Sequence, residues 1–233
     1  MKKFDYSKPL LIIALVCVAF AGCSKMDDSY RGFVKDGEIT YPGKADSVKV
    51  FPGKNRIKLS WLLFSDPSIR KCIVFWNNRQ DSLEIPVQGS SGTDTVNVIV
   101  DKLEEGSYSF EIYSYDGKGR ASVKTETEGR VYGEAYIASL PDRLVKSALL
   151  ENGASRVEWG DSVETSLGTE LRYHDDAGVL QTLFVPYGEA VTTWVGYPQG
   201  DTLQYRTLFL PVPAALDTFY TPYRSLTFQP PAP

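Results

Sequence analysis

The segment Arg56-Ile57-Lys58-Leu59-Ser60-Trp61 alternates residues that favour water with residues that avoid it. Successive side chains of an extended chain point to opposite faces, so Ile57, Leu59 and Trp61 share one face and Arg56, Lys58 and Ser60 the other. Such a strand is stable only when its apolar face lies on another, and the same period of two keeps returning. It is readable in Ser47–Phe51, Cys72–Asn77, Ser82–Val87, Thr95–Val100 and Ser107–Tyr115, and again in Ala121–Thr127 after the turn Asp116-Gly117-Lys118-Gly119. Seven short strands within about ninety residues predict a β-sandwich. Phe75 and Trp76 are neighbours on one strand, so only one of the two can face the core.

The second half repeats the first. Arg156-Val157-Glu158-Trp159 answers Arg56–Trp61, Thr169–Tyr173 answers the Cys72 strand with Tyr173 near the place of Phe75, and Leu183–Pro186 answers Leu83–Pro86. Further strands are expected at Arg143–Leu149, Val191–Val195, Leu203–Leu210 and Tyr223–Phe228. Gly133 to Pro141 reads as the boundary, from its glycine, proline and mixed polarity. Of three cysteines, Cys72 lies in a strand-like run and is expected as a small buried hydrophobe; loss of Cys17 with a signal peptide and acylation of Cys23 would leave it no disulfide partner.

Trp61 on the second strand resembles the core tryptophan of fibronectin type III domains. Leu103-Glu104-Glu105-Gly106-Ser107-Tyr108 resembles that fold's corner before the sixth strand, which implies a Tyr108 hydroxyl bonded back to nearby backbone. In the second half Leu203 stands where a corner tyrosine is expected, unless the register slips. The expected fold class is all-β, two tandem fibronectin type III/immunoglobulin-like β-sandwiches after a lipoprotein signal peptide. The expected divisions are 1–22 for the signal peptide, 23–44 for a lipidated cysteine and tether, 45–133 for the first sandwich and 134–233 for the second.

The signal peptide rests on Lys2, Lys3 and Lys8 before twelve apolar residues, Leu10 to Ala21, a length that suits an h-region and is too short to span a bilayer. Phe20-Ala21-Gly22-Cys23 resembles a bacterial lipobox, with Phe20 where leucine is commoner. That resemblance implies cleavage before Cys23 and acylation of its thiol, anchoring the chain to a membrane. Ser24-Lys25-Met26-Asp27-Asp28 resembles the acidic export tag of Bacteroidetes lipoproteins and implies display on the outer face of the outer membrane, against a periplasm-facing alternative. Residues 1–22 hold three basic side chains and Asp5, so the remainder carries 22 basic against 28 acidic residues, a net of −6. Nothing in that balance suits nucleic acid.

Gly37–Val48, Pro52-Gly53-Lys54-Asn55-Arg56 and Ala215-Leu216-Asp217-Thr218-Phe219-Tyr220 together resemble a Bacteroidetes surface-lipoprotein family, domain of unknown function 4998. The similarity runs from about Asp27 to Phe228. It implies a setting near outer-membrane glycan-uptake systems and carries no catalytic residue.

Catalytic chemistry finds little support. There is no Gly-x-Ser-x-Gly elbow and no His-Glu-x-x-His. The single histidine, His174, precedes Asp175-Asp176-Ala177-Gly178, which reads as a turn closed by aspartate side chains and not as a metal site. No catalytic residue, metal or cofactor is assigned. Trp76, Tyr187, Trp194 and Tyr197, at strand ends or near turns, are the candidate ligand-contact aromatics, with core packing as the alternative for the two tryptophans. The expected function is a non-enzymatic surface lipoprotein that binds a glycan or a partner in an uptake complex. A structural spacer or adhesion component is the alternative, and a glycoside hydrolase-like enzyme comes third, requiring two carboxylates about 5–9 Å apart.

Overall fold

A computed structural model describes residues 41–228 except 152, 162 and 199. The leader, Cys23, the export tag and most of the tether lie outside the described residues. The first sandwich begins with β1 (Asp46–Pro52), β2 (Arg56–Phe64), β3 (Ile69–Trp76) and β4 (Asp81–Pro86). It is completed by β5 (Thr93–Asp101), β6 (Gly106–Asp116) and β7 (Thr125–Val131). One sheet has the order β1-β2-β5 and the other β4-β3-β6-β7, all antiparallel. The alternation in Arg56–Trp61 does what it predicts: Ile57, Leu59, Trp61 and Leu63 are buried, and they meet Cys72, Val74, Phe110 and Ile112 from the opposite sheet.

At the boundary expected at Gly133 to Pro141, the structure has a short helix, α1 (Glu134–Ser139). Six residues give no readable period. Its first turn is held from a distance, because the Glu105 carboxylate accepts hydrogen bonds from the backbone N–H groups of Ala135 and Tyr136, each at 2.8 Å.

The second sandwich repeats the order with β8 (Val145–Glu151), β9 (Ala154–Trp159), β10 (Ser166–His174), β11 (Leu180–Pro186), β12 (Val191–Val195) and β13 (Leu203–Phe209). Its last strand is broken into β14 (Phe219–Tyr220) and β15 (Arg224–Leu226), both paired with β13. The sheets run β12-β9-β8 and β11-β10-β13-β14. Three strands thus face four in each half, with the first, second and fifth together. This is the fold class expected from the sequence.

Ladder registers align the halves residue by residue. Cys72 pairs with Ile85 and Ser114, and Thr169 pairs with Val185 and Thr207. Counting from there, Tyr173 takes the place of Trp76 and not that of Phe75. Leu203 takes the place of Phe110, and Asp201 that of Tyr108. The slip at the second corner is therefore two residues. Leu203 is a core residue with no exposed surface, and the corner is tied differently, as described below.

One compact unit extends from Pro42 onward, and its two sandwiches are joined by a clamp. Asp217, in the loop between β13 and β14, reaches the turn between β1 and β2. Its carboxylate accepts from the Lys54 backbone N–H at 2.8 Å and from Arg56 Nε and Nη2 at 3.1 and 2.5 Å. The Leu216 N–H donates to the Pro52 carbonyl at 2.7 Å. Gly53 leaves the room: a Cβ there would lie 2.6 Å from Asp217 Oδ2. Beneath the polar contacts the buried Phe219 ring meets the edges of Tyr132 and Tyr136, with centroids 5.7 and 5.1 Å away.

Candidate functional site

Of the four nominated aromatics, Tyr187 is half exposed. Trp76 is partly buried against the first core, its ring 6.4 Å from Phe110, and Phe75 is the member of the pair that faces outward, edge-on to Tyr113. Trp194 packs between Tyr173 and Phe228 and is partly buried against the second core. Tyr197 is a core residue, 7% exposed, because it closes the second corner. Its hydroxyl donates to the Asp201 carbonyl, four residues ahead. In the first sandwich the Tyr108 hydroxyl donates to the Glu104 carbonyl, four residues behind, at 3.0 Å. The same corner is tied from opposite sides.

The structure assembles a different surface, which includes none of the four nominated aromatics. On the outer face of the second sandwich, Phe184 (β11), Glu170 (β10) and Arg206 (β13) form one cross-strand row. Phe184 lies over Gly168, where a side chain would overlap its ring, and is half exposed. Arg206 holds Glu170 through Nε and Nη2 at 3.0 and 3.2 Å. Its guanidinium carbon lies 4.0 Å from the Tyr220 ring centroid and 4.6 Å from that of Tyr223, and Arg172 reaches Tyr223 at 5.1 Å. The Tyr223 hydroxyl donates to Glu170. Burial would raise the Glu170 carboxyl, but Tyr223 and Arg206 outweigh it and hold its pKa below the usual carboxylate range. The same bond to a carboxylate, after burial, pushes the Tyr223 phenol up. The result is a strip of rings and fixed hydrogen-bonding groups across four strands.

The first sandwich carries a counterpart. Arg79 donates from Nε to Glu111 at 2.7 Å and also to the Tyr113 hydroxyl, over the rings of Phe75 and Tyr113. It sits on a turn in which Asn77, Asn78 and Arg79 all have positive φ, a conformation that asparagine tolerates and arginine does not favour.

The His174–Gly178 segment is the turn the sequence suggested. Asp175 Oδ1 accepts from the N–H groups of Ala177 and Val179, both at 2.9 Å, and Gly178 N–H donates to the Asp175 carbonyl. His174 Nδ1 lies 3.7 Å from Asp201. Among the described residues no group of three or more metal-binding side chains converges, and no helix is long and apolar enough to cross a membrane. Each described carboxylate whose pKa is displaced moves down: Asp66, Glu111, Asp116, Glu170, Asp175, Asp201 and Asp217. Such groups are acceptors held ionised by the donors around them.

No curated protein matches this chain. Among solved structures, a two-domain fibronectin type III segment of chicken tenascin is similar at 13% identity, covering 78% of this chain and 97% of that one with a TM-score of 0.33. The FN1–FN3 domains of chicken CNTN1 are similar at 14% identity over 81% of this chain and 69% of that one, with a TM-score of 0.37. A family model described as a domain of unknown function, DUF4998, matches residues 23–219. That span contains both halves of the clamp, from Gly53 and Arg56 to Asp217 and Phe219, and the chain belongs to the DUF4998 family.

Proposed function

We propose that this protein is a non-enzymatic interaction module, lipid-anchored through Cys23 to the outer face of a Bacteroidetes outer membrane, that holds a glycan for an uptake system. The observation that carries the reading is the strip Phe184–Glu170–Arg206–Tyr220. Exposed rings offer flat apolar surface to the C–H faces of a sugar, and the fixed Arg206–Glu170 pair offers donors and acceptors to its hydroxyls at little ordering cost. A broad glycan array probed with the detergent-solubilised full chain tests it. Binding to at least one glycan is expected, weakened roughly three- to tenfold by Phe184→Ala or Tyr220→Ala. No binding to any glycan, or binding indifferent to both substitutions, overturns the reading.

The anchor is tested separately by protease shaving of intact cells, with Cys23→Ala as control. Release of the wild type is expected, and protection until the outer membrane is opened would place the protein in the periplasm. The clamp favours a second reading, a structural spacer, because a rigid joint suits an element that works by holding a distance. A strip that binds nothing together with an intact clamp would put the spacer first.

A further inference from the structure

Arg143 is an unusual residue in the second sandwich. It is 5% exposed, and among the described residues it makes no ion pair. Its Nη2 donates to the Glu189 carbonyl at 2.6 Å and its Nε to the Gly160 carbonyl at 3.5 Å, while Nη1 is buried and finds no hydrogen-bond partner among the described residues. The guanidinium lies over Trp159, 5.2 Å from the ring. Burial pulls the Arg143 pKa below arginine's ordinary value, and the charge of nearby Glu189 only partly offsets this. A buried cation with an idle donor is costly unless something supplies the missing acceptor.

Arg143 lines an open cleft of about 240 Å³ whose walls include Lys146, Asp161 and Tyr187. Lys146 is exposed, and among the described residues no ion pair holds it. Tyr187 presents a ring that is half exposed. Asp161 is the one carboxylate in the lining among the described residues, so two cations face one anion. Glu189 sits outside the lining and accepts from the Thr192 hydroxyl at 2.7 Å.

We infer that this cleft is a second binding site, specific for a carboxylate carried on a sugar ring: the carboxylate meets Arg143 and Lys146, and the ring lies against Tyr187. A guanidinium and an ammonium give the charge-assisted hydrogen bonds that distinguish an acidic sugar from its neutral counterpart. The flat phenol supplies apolar contact that a bare anion would not use. The sugar ring rests on the glycan reading above, but the site is separate from the Phe184–Tyr220 strip.

Calorimetric titration of the detergent-solubilised full chain with glucuronate, glucose and acetate tests it. Glucuronate is expected to bind at least tenfold tighter than glucose, and tighter than acetate. Lys146→Ala should weaken it about tenfold and Tyr187→Ala about threefold. Both substitutions are at exposed positions, so the test does not depend on Arg143 variants folding. Arg143→Lys, which keeps the charge and loses the fork, should weaken binding where its circular dichroism is unchanged. Equal affinity for glucose and glucuronate overturns the proposal, as does binding that survives both Lys146→Ala and Tyr187→Ala. Acetate binding as tightly as glucuronate overturns it too, because the ring would then contribute nothing. Neutral glycans bound on the array with no response to glucuronate would sink this site and leave the strip standing.

Discussion

Two hydroxyls and one carboxylate do most at the scale of single residues. The Tyr108 and Tyr197 hydroxyls tie equivalent corners to backbone carbonyls, and removal of either bond costs about 1 kcal/mol. Tyr108→Phe and Tyr197→Phe are each expected to lower the unfolding free energy by that order, the second more because its hydroxyl is better shielded; urea titration checks both. At the clamp, the hydrogen bond from Arg56 holds the Asp217 carboxyl below its usual pKa, against the opposing effect of burial. The native pKa lies below the unfolded one, so this stabilisation is complete above the unfolded carboxylate pKa of about 4 and is lost as pH falls through the lower native value. In Asp217→Asn the acid limb of a plot of Tm against pH should become shallower while the limb above neutrality is unchanged. Gly53→Ala should destabilise by roughly 1–3 kcal/mol, since its methyl would displace Asp217 from the turn.

Alternation made most elements legible. Ile57, Leu59 and Trp61 announced β2, and Val191–Val195 was read with its observed ends, because the period of two is written in neighbouring residues. What escaped depends on partners distant in sequence. Helix α1 begins where Glu105, about thirty residues earlier, offers its carboxylate to Ala135 and Tyr136. The broken last strand escaped for a similar reason: Thr221, between β14 and β15, donates its N–H to the Thr207 carbonyl and receives the Thr207 N–H on its hydroxyl, both at 3.0 Å. Thr221→Val should leave a buried N–H unpaired and cost about 1–3 kcal/mol, seen as faster amide exchange at Thr207. The outer strip was within reach. Phe184 alternates with the buried Val185, so strand parity places it outside, although it lies within a strand and not at the strand ends and turns where the four nominated aromatics stand. Arg56 and Asp217 stood out as distinctive segments, but nothing local in either shows that they meet.

For the whole molecule, the clamp ties the second sandwich to the first through Asp217 and Phe219. Scanning calorimetry at neutral pH should show a single cooperative unfolding transition, and Asp217→Ala should split it in two while leaving each half folded at 25 °C. The clamp also imposes an order in time. A chain is made from its first residue onward, and domains fold as they emerge. The first sandwich can therefore pack while Tyr132 and Tyr136 still await the Phe219 that will cover them. Every product cut short before residue 217 displays an uncovered aromatic seat and an unanswered Arg56. The last loop of the second sandwich acts as a completeness check on the first, and damage near the end of the chain is registered in the half that was made earliest.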